Sequence, residues 1–336
     1  MRHRTLLLTT LALGAVAAAL LWLEPAAEPT APEEKPLVPA GLLADLRAVE
    51  IAAGGKTARV ERSADGWVVP ARFGLRADAE NRLRPLLQSL RNAKSLGILT
   101  SDPRRIERLG LAGQWVRLEG ADGKSWKVEL GRMTDDGAGV AARPEGETAV
   151  LRTTFAGYLE GDPANWIDPM LLAANADEVT ALALTFPDGT SVSLTRDKAG
   201  DPLKGADAPT AAAAGELLMS LANLRAGDAV AKDDAAAKAA LAKPVVASLT
   251  LPGGAKATIT MGRAASANGA PPQAWMTVTH SDPKHPANAA AAKALFTCPP
   301  WLAEQIPGSA KELAARGQPP APAPGGPALE VDPAQR

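Results

Sequence analysis

The chain is poor in the residues on which many reaction centres draw. Its 336 residues include a single cysteine, Cys298. One thiol excludes an intramolecular disulfide and a multi-cysteine metal site. Three histidines leave little room for histidine-rich metal chemistry. Aromatic residues make up 4%, too few for an extended stacking platform for sugars or bases. An excess of either charge is missing as well. Thirty-six basic and thirty-seven acidic residues give a formal net charge of -1, which argues against a large nucleic-acid footprint. What is present is apolar material, 46% of the chain. That is enough for packed cores, and the length suits about two domains.

The N-terminus carries an address. Arg2 and Arg4 precede an uncharged apolar run over 5–23, and Glu24, Glu28, Glu33 and Glu34 follow it. At about 1.5 Å per helical residue the run spans roughly 28 Å, close to a bilayer's hydrocarbon thickness. Basic residues mark the cytoplasmic side. The expectation is a single-pass anchor in the bacterial inner membrane, with residues 1–4 cytoplasmic and the main body periplasmic. A cleaved signal peptide would have a shorter run with small residues just after it. Here Ala17, Ala18 and Ala19 lie inside the run, and Leu20-Leu21-Trp22-Leu23 follow. A Pro-rich linker is expected over 24–40 and a Pro/Ala-rich disordered tail over 311–336.

Between them the chain repeats itself. In the first half a strand-like stretch near Val49 turns at Gly54-Gly55 into Thr57–Arg62. In the second, Ala181–Phe186 turns at Asp188-Gly189 into Ser191–Arg196. Both read as hairpins. A helix follows each, carrying Leu83, Leu86, Leu87 and Leu90, or Leu217, Leu218, Leu221 and Leu224, with Asp78 and Thr210 as the expected caps. A short helix follows over Pro103–Leu109 or Asp233–Leu241. A second hairpin then turns at Asp122-Gly123 or Gly253-Gly254 and ends on Gly131-Arg132 or Gly262-Arg263. Further strands are predicted over Gly139–Ala142, Thr148–Arg152 and Ala274–Thr279. The offset of roughly 130 residues is too long for a solenoid. It predicts an α+β fold of two tandem related domains, 41–172 and 173–310, built of antiparallel β-hairpins with interspersed helices. The stretch Asp162–Ala176 between them is expected to act as a hinge unless the halves share one sheet.

Trp67-Val68-Val69-Pro70, Leu109-Gly110-Leu111 and Trp126-Lys127-Val128-Glu129-Leu130-Gly131, together with the anchor, give a resemblance. The chain resembles the uncharacterised bacterial family catalogued as domain of unknown function 4340, over roughly residues 40–310. The family's aromatic-Gly-Leu-Asp-x-Pro stretch is here Arg108-Leu109-Gly110-Leu111-Ala112-Gly113-Gln114, without the aromatic, the Asp and the Pro. Members often accompany gliding-motility-type ABC transporter components. The resemblance therefore implies an envelope accessory role, and it supplies no catalytic residues.

The remaining motifs read as structure. Gly253-Gly254-Ala255-Lys256 lacks the spacing of a phosphate loop and reads as a hairpin turn. Ser281-Asp282-Pro283-Lys284 matches Ser-x-x-Lys, but the companion motifs are absent. His280, Asp282 and His285 could converge on zinc, yet Pro283 and Pro286 make this a surface turn. Cys298, beside Phe296 and Pro299, reads as a structural thiol. Asp135-Asp136 and Asp233-Asp234 read as a turn and a helix start, and Asp162 and Asp168 flank Trp166 without a cleft to face across. Trp67, Trp126 and Trp275 lie in strand patterns and read as core. No catalytic, cofactor-binding or metal residues are expected, and no nucleic acid. The chain is read as a non-enzymatic, membrane-anchored accessory or scaffold protein. It would bind a protein partner in the envelope, of the kind found in ABC-type transporter complexes. An envelope hydrolase and a glycan- or lipid-binding module are the alternatives.

Overall fold

The structure is a computed structural model describing residues 34–135, 137–264 and 272–318. The expected anchor, most of the linker, Asp136 and the chain from 319 onward lie outside the described residues. No helix among the described residues is long and apolar enough to cross a membrane.

The first half contains β1 (Lys35–Pro36), β2 (Leu46–Ala53), β3 (Lys56–Ser63), β4 (Gly66–Val69), β5 (Leu75–Arg76), α1 (Arg84–Asn92) and β6 (Lys94–Thr100). It continues with α2 (Pro103–Ile106), β7 (Trp115–Gly120), β8 (Ser125–Met133), β9 (Val140–Pro144) and β10 (Val150–Thr153). The second half contains β11 (Ala181–Thr185), β12 (Ser191–Thr195), α3 (Ala208–Ala222), β13 (Ala229–Val230), α4 (Ala235–Leu241), β14 (Val245–Thr250) and β15 (Lys256–Arg263). It ends with β16 (Ala274–His280), α5 (Pro286–Lys293), β17 (Leu295–Thr297), α6 (Pro300–Gln305) and α7 (Ala310–Arg316).

Among the described residues these strands make two antiparallel sheets. The first runs β1-β6-β10-β9-β8-β7-β2-β3-β4-β5 and the second β12-β11-β14-β15-β16-β17-β13. Read backwards, the second order is β13-β17-β16-β15-β14-β11-β12. It matches the β6-β10-β9-β8-β7-β2-β3 stretch of the first strand for strand. Both sheets therefore share one topology.

The matching Gly-Arg pairs have a packing reason. A Cβ on Gly131 would lie 2.3 Å from the carbonyl oxygen of Leu109, at the end of the turn after α2. A Cβ on Gly262 would lie 2.3 Å from the carbonyl oxygen of Ala240 in α4. Each glycine lets the short helix press its backbone onto the sheet. Under each sits a small satellite core: Leu111, Ala141 and Val150 in the first half, Ala237, Ala240, Trp275 and Leu295 in the second. The long helices lie elsewhere. Leu86 and Leu90 of α1 join Val49, Ile51, Val116 and Leu118 in the main core, and Leu217, Leu218 and Leu221 of α3 join Leu182, Leu249 and Ile259 in the same cluster.

Four expectations change. Asp207, not Thr210, caps α3: its carboxylate accepts the Thr210 N–H at 2.9 Å, while Thr210 is buried within the helix. The linker ends before residue 40, because Leu37 and Val38 are buried and the Leu37 N–H donates to the Ala93 carbonyl. The tail begins later than 311, because Ala310–Arg316 forms α7 with Leu313 buried. The connector between the halves is not a free hinge, although the sheets stay separate. Its Trp166, Ile167, Leu171 and Leu172 are buried. Its backbone is bonded to both halves, through Asp168 N–H to the Arg76 carbonyl and Leu171 N–H to the Leu224 carbonyl, at 2.8 and 2.9 Å. Burying four large apolar side chains stabilises such a seam far more than a free linker allows. Charges close it: Arg72 grips Asp228 through two bonds of 2.7 and 3.2 Å, and Lys293 Nζ donates to the Gly74 carbonyl.

Candidate functional site

Strand alternation sends every second side chain of β2, β3, β7, β8 and β9 away from the core. On this outer face the register aligns them in rows. Arg59 of β3 stands beside Glu50 of β2, which stands beside Arg117 of β7 and then Lys127 of β8. In the next row Thr57, Ala52, Trp115, Glu129 and Arg143 follow one another. The result is a sheet face tiled with opposite charges.

The tiling is closely made. Arg59 holds Glu119 with two parallel bonds of 2.9 and 2.7 Å and also bonds Glu61. These hydrogen bonds raise the Arg59 guanidinium further above its ordinary value and hold the Glu119 carboxyl below the usual carboxylate range. Arg143 holds Glu129 at 2.6 and 2.9 Å. Arg117 lies 3.8 Å from Glu50 and 3.7 Å from Glu145. Its Nε is buried without a hydrogen-bond partner among the described residues. Trp115 sits beside two cations, with Lys127 Nζ 4.7 Å and the Arg117 guanidinium 5.8 Å from the ring centroid. That arrangement suits cation–π attraction. Each exposed pair contributes only about 0–1 kcal/mol to stability. Their stronger effect is to fix side chains in place before anything binds.

The same face of the second sheet has different chemistry. Its rows read Ser193, Ala183, Ser248, Thr258 and Thr279, then Ser191, Thr185, Val246, Thr260 and Thr277. These rows carry hydroxyls where the first sheet carries ions. One topology thus presents two unlike surfaces.

The motifs singled out in the sequence are engaged locally. The Gly253-Gly254 turn closes β14 onto β15. Ser281 Oγ accepts the Lys256 N–H at 2.8 Å, and Lys284 gives its backbone N–H to Asp282. The rings of His280 and His285 stack at 4.1 Å. Each Nδ1 accepts a backbone N–H, from Asp282 and from Ala287. Burial, with His280 alongside, lowers the His285 pKa. No cluster of three or more metal-ligating side chains occurs among the described residues. Cys298 is buried, which pushes its thiol up to about 12. Asp162 pairs with Lys56 and caps the turn at Ala164, Asp168 accepts the Met170 N–H, and Asp234 caps α4. Trp275 is core; Trp67 and Trp126 are half-buried against the main core. The rows around Trp115 match no sequence motif. Only strand register makes them neighbours, although the alternation of Trp115, Arg117 and Glu119 is visible in the sequence.

These features define a class, an α+β protein of twin antiparallel sheets, each leaving an outer face largely open. A family described as Domain of unknown function (DUF4340) matches residues 67–244. That stretch is more than half of the chain, and the chain belongs to this family. It runs from β4 to the loop before β14 and so crosses the seam between the halves. No curated protein and no solved structure matches the chain.

Proposed function

We propose that this chain is a membrane-anchored accessory protein of the bacterial envelope. Residues 5–23 hold it in the inner membrane, and two repeats, 41–172 and 173–310, project into the periplasm. There it acts as a non-enzymatic scaffold for a protein partner of the ABC-transporter kind. The observation carrying this reading is the ion-paired outer face of the first sheet, with Trp115 beside Arg117 and Lys127. Preordered charge rows give partner selection and register, and a fixed indole supplies an anchor. The hydroxyl face of the second sheet lacks both.

The test is in-cell photocrosslinking of the full-length protein, with a benzophenone side chain at Thr57, in the row of Trp115, or at Ser248. A stoichiometric membrane-protein adduct from 57, absent from 248 and lost in Glu119→Lys, is the expected result. Equal capture at both positions, or none at 57 with efficient labelling, overturns the reading.

A further inference from the structure

A cleft of about 620 Å³ opens beside the first sheet, between the turn at Pro39–Asp45 and the β7–β8 hairpin. Its size is that of a small-ligand site. The Ala121 N–H donates to the Asp45 carbonyl at 2.7 Å and pins the two walls together. Pro39, Leu42 and Trp126 supply apolar surface, and Asp45, Asp122, Lys124 and Ser125 supply polar groups. The charges are not equivalent. Lys124 Nζ is held by Asp122 at 2.7 Å. The Asp45 carboxylate makes no ion pair or hydrogen bond among the described residues. Asp45 is thus the unpaired acid among the residues lining a cleft that the Trp126 indole also lines. Gly120 lets two lining side chains pack onto the strand end: a Cβ there would lie 2.8 Å from Asp122 Oδ1 and 3.2 Å from Leu42 Cδ1.

From the cavity, the free carboxylate and the aromatic wall, we infer that this cleft binds an organic cation: a primary ammonium group on an unbranched apolar stem. The ammonium faces Asp45 and Trp126, where a carboxylate and a π-face both attract it. The stem lies along Leu42 and Pro39. Two sources present this group, a free alkylamine and a lysine side chain of a peptide. The inference stands apart from the protein-binding face proposed above, which lies on the outer side of the same sheet.

The experiment titrates the full-length protein in mild detergent with n-hexylammonium, n-hexanol or Nα-acetyl-lysine methylamide by calorimetry. Saturable hexylammonium binding with a Kd on the order of 1 mM is expected for a ligand of this size. Asp45→Asn, a change at an exposed residue, weakens it up to about fivefold, the range of an exposed ion pair. Gly120→Val pushes Asp122 and Leu42 out of the cleft wall and weakens binding, with circular dichroism confirming that the variant is folded. Both outcomes for the lysine derivative support the site: comparable binding assigns the natural source to a peptide, and tenfold weaker binding assigns it to a free amine. Hexanol binding as tightly as hexylammonium overturns the inference, as does binding unchanged in Asp45→Asn, or no saturable binding at all.

Discussion

Replacing Gly262 by alanine adds one methyl group, yet the structure places it against a helix backbone. The φ of Gly262 lies outside the left-handed region, so alanine carries no conformational strain there and the effect is steric. An ideal Cβ would meet the Ala240 carbonyl oxygen at 2.3 Å, its carbon at 2.4 Å and the Leu241 nitrogen at 2.7 Å. None of these is a side chain that can rotate away. The helix α4 or the strand β15 must shift. Overpacking of this kind costs about 1–3 kcal/mol. If α4 lifts off altogether, the packing of Trp275 with Ala237, Ala240 and Leu295 goes with it. A tryptophan buries about 150–250 Å², so at about 25 cal/mol/Å² the ceiling is about 4–6 kcal/mol. Urea unfolding followed by circular dichroism measures the loss. Gly131→Ala should behave in the same way, since its Cβ would meet the Leu109 carbonyl oxygen at the same distance. Gly215→Ala is the control. It lies in α3 with nothing within 4 Å of its Cβ, and should gain about 0.5–1 kcal/mol. A Gly262→Ala protein within about 0.5 kcal/mol of the parent, the range of an inert surface change, would refute the close-approach argument.

Two further outcomes follow from titratable groups. The Lys56 ammonium, the Ala164 N–H and nearby Arg72 hold the Asp162 carboxyl below the ordinary aspartate range. The stabilisation this represents is complete above that range and is lost as pH falls through the lower folded value. Asp162→Asn should therefore be less stable than the parent at pH 7, and the gap should begin to close only as pH falls below about 4; a gap that stays constant as pH falls further in urea unfolding would contradict this. Cys298 should resist iodoacetamide at pH 8 while folded and react once unfolded, because burial keeps its thiol protonated. Rapid alkylation of the native protein, read by mass spectrometry, would show the thiol to be accessible.

Much of this architecture is written in local sequence. Paired glycines at 54 and 55 have positive φ, 59° and 75°, and specify a tight hairpin turn whatever surrounds them. Asp78 and Asp234 cap helical turns through their own backbone neighbours. The leucine spacing of α1 and α3 marks a buried stripe without reference to any other element. Repetition of these local signals is enough to foretell two related halves.

Other features depend on distant partners. Strand β6 carries Gly97 within Lys94–Thr100, and its partners β1 and β10 lie far away in sequence. Nothing local distinguishes it from a loop. Gly131 and Gly262 stand out in the sequence only as a recurring pair, and only the helix pressed against each explains why a side chain is excluded. The connector is likewise decided by tertiary structure: buried Trp166 and Leu171, with backbone bonds to both halves, turn an expected hinge into a seam. The charge rows around Trp115 and the free carboxylate of Asp45 belong to this second kind. Composition and spacing fixed the elements of this protein, because turns, caps and periodicity act over a few residues. Register and close approach, which act between residues far apart in the chain, decided what its surfaces present.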